Sequence, residues 1–242
     1  MAKFMEVDAD TVCRLADDLN RVGVAFIEQY LCLEQLGLAR SDIENEVLGH
    51  DKKSFAIRGT PDVPGTFFER LVGSSEFQRL LLGVYTKGTE RIPSPYEKVY
   101  TVIRCLQGSD SSEESNRFHY DATILTVLLP VFIPESSTET GRFVLFPNLR
   151  NQRSNALLNL LEKAVVQNRI SQRLVALAIK FDLLRPMKIE LVPGNLYFFW
   201  GYRSLHANEP SDPRALRTTV LFHYDNPHRR SGVSKWIMPK GR

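Results

Sequence analysis

The stretch FHYDATILTVLLPVFI, residues 118–133, carries two messages. Most of it is apolar and rich in β-branched residues, which makes it a strand. At its start, His119 and Asp121 stand two positions apart. Residues i and i+2 of a strand point to the same side, so imidazole and carboxylate aim together and can share a metal ion. The same four letters, FHYD, recur at residues 222–225, where His223 and Asp225 repeat the spacing.

A third ligand decides between the copies, and the chain has only five histidines: His50, His119, His206, His223 and His228. His206 follows NLYFFWGYRSL, where a strand begins to turn, with enough chain after Asp121 for a sheet to bring it back. The second copy has only His228 beyond it, across Asn226 and Pro227, which leaves no room for a sheet. The metal is therefore assigned to His119, Asp121 and His206. Two histidines and one carboxylate leave one face of an octahedral ion open, the ligand set of non-haem Fe(II) oxygenases. His223 is expected to be a hydrogen-bonded core or strand-end histidine, and His50 and His228 ordinary surface ones.

Around this stretch the chain changes character. Residues 1–97 are helix-rich support: Val12, Leu15, Leu19 and Val22 recur at helical spacing, Gly23 ends that helix, VAFIEQYL reads as a strand or short apolar segment, and a further helical pattern runs through 67–82. Residues 98–225 hold the strands KVYTVIRCL, GRFVLFPN, KIELVP, NLYFFW and RTTVLFHY, interrupted by a helical insert at 152–184 with Leu157, Leu158, Leu161, Val165, Leu174, Leu177 and Ile179. A basic tail, 226–242, closes the chain. The expectation is a single domain, mainly β with flanking helices (α+β), whose antiparallel strands form a jelly roll, an architecture that hides its edges and leaves a cavity between two sheets.

Composition narrows the rest. With 43% hydrophobic and 24% charged residues the chain can build a full core. A net charge of +3 is too small to argue for nucleic acid, and none is expected as a partner. The three cysteines, Cys13, Cys32 and Cys105, have no metal-type spacing and read as reduced thiols of a cytoplasmic protein. No apolar h-region marks a signal peptide, and no run is long enough to span a membrane.

Past His206, Arg217 and Thr219 share one face of RTTVLFHY. A guanidinium takes a carboxylate bidentately and a neighbouring hydroxyl adds a bond, so the two make an anion pocket, although Thr219 also reads as a plain strand residue. Arg214 lies in the loop SDPRAL and is the weaker candidate.

HxD, a distal His and then Arg-x-Thr resemble the Fe(II)/2-oxoglutarate-dependent dioxygenases, nearest in spacing to the phytanoyl-CoA hydroxylase-like branch. The segments PGNLYFFWGYRSLHAN and TGRFVLFPN agree with that resemblance. It implies a double-stranded β-helix core, related to the cupins, with Fe(II) on His119, Asp121 and His206 and 2-oxoglutarate on Arg217 and Thr219. It also implies O2 as co-reactant, and oxidation of a small-molecule substrate, most simply hydroxylation, with release of succinate and CO2. Related halogenases lack the carboxylate that Asp121 supplies, so halogenation is not implied. A non-catalytic 2-oxoglutarate or metal-binding module, or a cupin-type metalloenzyme that does not use 2-oxoglutarate, would share the same ligands.

Three residues are candidates for substrate contact. Arg104, a charge among apolar residues of YTVIRCL, either binds an anionic substrate or reaches solvent from an edge. Tyr100 shares its parity, and Trp200 precedes His206 closely enough to border the pocket or to belong to the core. Tyr120, between the two ligands, points away into the core. The polar loop at 107–117 is either a lid or a solvated connection, and the basic tail either meets an anionic partner or docks through Trp236 and Ile237.

Overall fold

The computed structural model describes residues 3–50, 53–59, 65–94, 97–108, 115–135, 139–151 and 168–227. The expectations for Leu157, Leu158, Leu161, Val165, His228, Trp236 and Ile237, and for the centre of the 107–117 loop, lie outside them. Helices α1 (Ala9–Arg21), α2 (Leu33–Leu48), α3 (Phe67–Gly73) and α4 (Ser75–Thr89) come from the first part of the chain, and α5 (Arg169–Lys180) from the insert. Asp8 caps α1 by accepting from the Thr11 amide at 2.7 Å. Leu15 and Leu19 bury the face that the periodicity marks.

The strands are β1 (Val24–Ile27), β2 (Phe55–Arg58), β3 (Tyr100–Leu106), β4 (Leu125–Phe132), β5 (Phe143–Phe146), β6 (Met187–Ile189), β7 (Leu196–Phe199), β8 (Leu205–Asn208) and β9 (Arg217–Tyr224). They form a six-stranded sheet in the order β1-β7-β4-β9-β3-β2 and a three-stranded sheet in the order β6-β5-β8. All the pairings are antiparallel. The result is a mixed α+β fold on the double-stranded β-helix plan.

Alternation along the strands separates two cores. Val127, Leu129, Leu196, Phe198, Val220 and Phe222 pack toward the helices, in one cluster with Leu15, Phe77, Leu81 and Val84. Leu128, Tyr197 and Phe199 face the smaller sheet and meet Phe143 and Leu145. The near-continuous apolar run of β4 follows from this, since a strand covered on both faces has no polar side to show. Pro130 lacks an amide to donate, and the β4–β9 register slips between Pro130 and Phe132.

Some expectations need correction. Residues 118–133 do not form one strand: only His119 bridges to His206, the chain turns, and β4 starts at Leu125. Helix α2 and strand β2 lie in the part of the chain that carries no clear periodicity. His50 is half-buried and partnered, its ring stacked on Phe55 at 3.7 Å and its Nδ1 2.8 Å from the Glu46 carbonyl.

Candidate metal centre and anion pocket

His119 and His206 exchange backbone hydrogen bonds, 3.0 and 3.1 Å, so their rings lie side by side with centroids 4.3 Å apart. The Asp121 amide donates to the Gly201 carbonyl at 3.0 Å, which turns the third ligand into the same space. Gly201 must be small: a Cβ there would stand 2.3 Å from Asp121 Oδ2 and 2.4 Å from Thr126 Oγ1. The outer edge of the short segment is closed by α5, where Gln172 accepts from the Phe118 amide and donates to its carbonyl, both at 2.6 Å. Beside it, the Arg150 guanidinium lies between the Tyr120 and Tyr202 rings, 3.9 and 4.5 Å from their centroids, and Arg150 Nε donates to the Tyr202 carbonyl. Tyr120 therefore packs away from the ligands.

Each imidazole is held by its other nitrogen. His119 Nδ1 lies 2.8 Å from the Arg117 carbonyl, and His206 Nδ1 lies 3.0 Å from the Ser204 carbonyl. A carbonyl only accepts, so the proton sits on Nδ1 and the Nε2 lone pair is free. His206 Nε2 is buried and has no hydrogen-bond partner among the described residues. Asp121 Oδ1 lies 3.6 Å from that atom and 3.8 Å from His119 Nε2. The candidate ligand atoms of the three residues all lie within 4.8 Å of one another.

The charge states suit a cation. Loss of hydration, aided by His206, pushes the His119 pKa down to about 4, so the ring is neutral near pH 7, the state in which an imidazole can bind a metal. Burial lowers His206 too, opposed by Asp121. Burial alone would raise the Asp121 carboxyl, but His206, His223, His119 and the Thr126 hydroxyl outweigh it and hold it below the ordinary carboxylate range. Thr126 Oγ1 donates to Asp121 Oδ2 at 2.6 Å and lies 3.2 Å from His223 Nδ1. That hydroxyl has spent its one proton on the carboxylate, so toward His223 it accepts. The second FHYD copy thus supports the first: His223 backs the Asp121 carboxylate, while Asp225 accepts from Tyr85 at 2.5 Å and ties the end of β9 to α4.

Arg217 is fully buried. Its Nε donates to the Gly141 carbonyl at 3.1 Å and one Nη to Asn208 Oδ1 at 3.0 Å, while the other Nη has no partner among the described residues. No carboxylate among the described residues pairs with it. Burial, with the nearby Arg104, pushes its pKa down to about 9. Glycine is required at 141, where φ is +70° and a Cβ would stand 2.5 Å from Arg217 Nε. Thr219 follows on the same face of β9, across from Arg104 on β3. Arg214 is a surface residue paired with Asp212 at 2.9 Å.

The substrate candidates divide. Arg104 is half-buried on the pocket face, and its charge reaches His119, His206 and Arg217. Tyr100 is 44% exposed on the same face, opposite His223. Trp200 is elsewhere: it shares the parity of Leu196 and Phe198, packs over Gly88 in the helical layer, and donates from Nε1 to Asn20 Oδ1 at 3.0 Å. Thr126, Gly141, Gly201 and Asn208 are absent from the sequence reading. Asn208 had a signal, since it stands two positions past His206 on one strand.

No protein-family model matches the chain, and no curated protein matches it in sequence. Solved structures do match in fold. A prolyl hydroxylase from Trichoplax adhaerens, in complex with a hypoxia inducible factor peptide fragment, is 14% identical with a TM-score of 0.61, covering 92% of each chain. A Pseudomonas putida prolyl-4-hydroxylase is 10% identical with a TM-score of 0.59, covering 88% of this chain and 98% of its own. The non-heme alpha ketoglutarate dependent epimerase SnoN from nogalamycin biosynthesis is 13% identical with a TM-score of 0.58, covering 97% of this chain and 91% of its own. At these identities the likeness is one of fold, and it is the fold on which 2-oxoglutarate oxygenases are built.

Proposed function

We propose that the protein is a non-haem Fe(II)- and 2-oxoglutarate-dependent dioxygenase that oxidises a small-molecule substrate, most simply by hydroxylation. The observation that carries this reading is a pair: three candidate ligand atoms within 4.8 Å of one another, of which His206 Nε2 is buried with no partner among the described residues, beside a buried arginine with an unused donor. Uncompensated, a buried guanidinium costs several kcal/mol, so an anion belongs there.

His119 Nε2, Asp121 Oδ1 and His206 Nε2 would hold Fe(II), and Arg217 with Thr219 would take the distal carboxylate of 2-oxoglutarate. Bound there, iron would activate O2 as the oxidant, with the keto acid oxidised to succinate and CO2 as the substrate is oxidised. The chain's own residues do the rest. Arg117 and Ser204 fix the tautomers, Thr126 aims the carboxylate, and Phe143 and Phe199 pack against His206 with ring centroids 5.7 and 4.8 Å away, excluding water from its flank. The presence of Asp121 favours oxygenation over halogenation. Within the superfamily, the motif spacing favours the phytanoyl-CoA hydroxylase-like branch, and the three free cysteines suit a cytoplasmic setting.

The test is consumption of 2-oxoglutarate with Fe(II) and O2, read as succinate, across a metabolite panel. Wild type is expected to release succinate and His119→Ala to release none. Equal turnover by both would rule the site out, and iron binding indifferent to 2-oxoglutarate would favour a cupin-type enzyme.

A further inference from the structure

The pocket face of the larger sheet is unevenly charged. Strands β2, β3 and β9 contribute Arg58, Arg104 and Arg217, and none of these strands contains an acidic residue. Arg217 is accounted for by the cosubstrate. Arg58 is not. It lies on the edge strand, opposite Val102, on the side away from Phe55 and Ile57, which pack into the helical core. It is exposed, and among the described residues it has no ionic or hydrogen-bonding partner.

Its surroundings are specific. Tyr100 is its diagonal neighbour on β3, at a separation of about 7–8 Å that an arginine side chain spans easily. The exposed Tyr100 ring lies opposite His223, centroids 6.4 Å apart and tilted by 36°. His223 Nδ1 is in turn 3.8 Å from Asp121 Oδ2. A cation and an open aromatic face thus stand one side chain away from the candidate metal centre.

We propose that Arg58 and Tyr100 form a substrate subsite for an oxyanion, a carboxylate or phosphate borne on a small molecule whose carbon skeleton lies over the Tyr100 ring. The subsite rests on the dioxygenase reading, because it places the anion's neighbouring carbons toward Asp121. An arginine on an edge strand also serves simply to discourage strand pairing, and that role would need no ligand.

The experiment uses the whole chain, anaerobic, with Fe(II) and saturating 2-oxoglutarate, so that Arg217 is occupied and nothing turns over. Benzoate, phenyl phosphate and benzamide are titrated by calorimetry while the iron–keto acid absorption band is followed. An anion is expected to bind at least about tenfold more tightly than benzamide, the size of one charge-assisted hydrogen bond, and to perturb the band. Whether benzoate or phenyl phosphate is preferred identifies the oxyanion. Arg58→Gln should erase the preference for anions, and Tyr100→Leu should weaken all three probes. Benzamide binding as tightly as the anions, a preference that survives Arg58→Gln, or an anion that abolishes the band by displacing the keto acid would each overturn the subsite while leaving the metal reading intact. A band that never forms would remove the dioxygenase reading and the subsite with it.

Discussion

The Thr126 hydroxyl donates to Asp121 Oδ2 at 2.6 Å, leaving Oδ1 as the oxygen that faces both candidate histidine ligands. One strand residue thereby decides which carboxylate oxygen is available to a metal. Thr126→Val keeps the shape and removes the donor. Metal affinity is expected to fall about 10- to 100-fold, the usual cost of losing such a supporting bond, with 2-oxoglutarate affinity changed far less. Titration with Mn(II), followed by its paramagnetic signal, measures this.

Arg217 is gripped by Gly141 and Asn208 with one Nη left over. Arg217→Lys keeps the charge but not the fork, and should weaken 2-oxoglutarate about 10- to 100-fold while Fe(II) binding survives. Asn208→Ala should give a smaller loss in the same direction. Calorimetry with 2-oxoglutarate on the metal-loaded variants checks both.

The two candidate histidine ligands make the metal-free protein sensitive to acid. The His119 pKa is about 4 when folded, below the ordinary unfolded value of about 6.5. Between those limits the unfolded chain binds the extra proton, so stability is fully present above about pH 6.5 and declines as pH falls toward 4. His206, also depressed, acts in the same sense. Thermal unfolding of metal-free protein across this range should show a falling Tm, with a shallower fall in His119→Asn.

Gln172 of α5 satisfies both backbone groups of the buried Phe118. Gln172→Ala strands the carbonyl and leaves the amide only its longer bond to the Asn116 carbonyl, 3.1 Å, at a cost of about 2 kcal/mol. For a chain of this size that is a Tm lower by roughly 4–8 °C. Because Phe118 precedes His119, metal affinity should fall with it, and added Mn(II) should restore part of the lost Tm.

The gathering of His119, Asp121 and His206 was legible in their spacing, and strand alternation puts Arg217 and Thr219 on one face of β9, but Asp121 lies past the single bridge at His119 and reaches the two histidines through the turn that follows it. What sequence could not supply was the partner of each face. Trp200 has the parity of Leu196 and Phe198, but nothing in NLYFFW says whether that parity meets helices or cavity; only the packing of α1 and α4 does. Helix α2, LEQLGLARSDIENEVL, went unread because its apolar residues do not form one stripe and Gly37 interrupts it. The first FHYD looked like part of a long strand because ATILTVLLPVFI continues it apolar, whereas the turn before Leu125 is what frees Asp121 to swing beside His206.

The most direct measurement is a crystal structure grown without oxygen in Fe(II) and 2-oxoglutarate, with anomalous scattering at the iron edge. A single iron peak bonded to His119 Nε2, Asp121 Oδ1 and His206 Nε2, with the keto acid's far carboxylate on Arg217, is the predicted result. Iron bound elsewhere, or a keto acid that leaves the Arg217 guanidinium untouched, would contradict it.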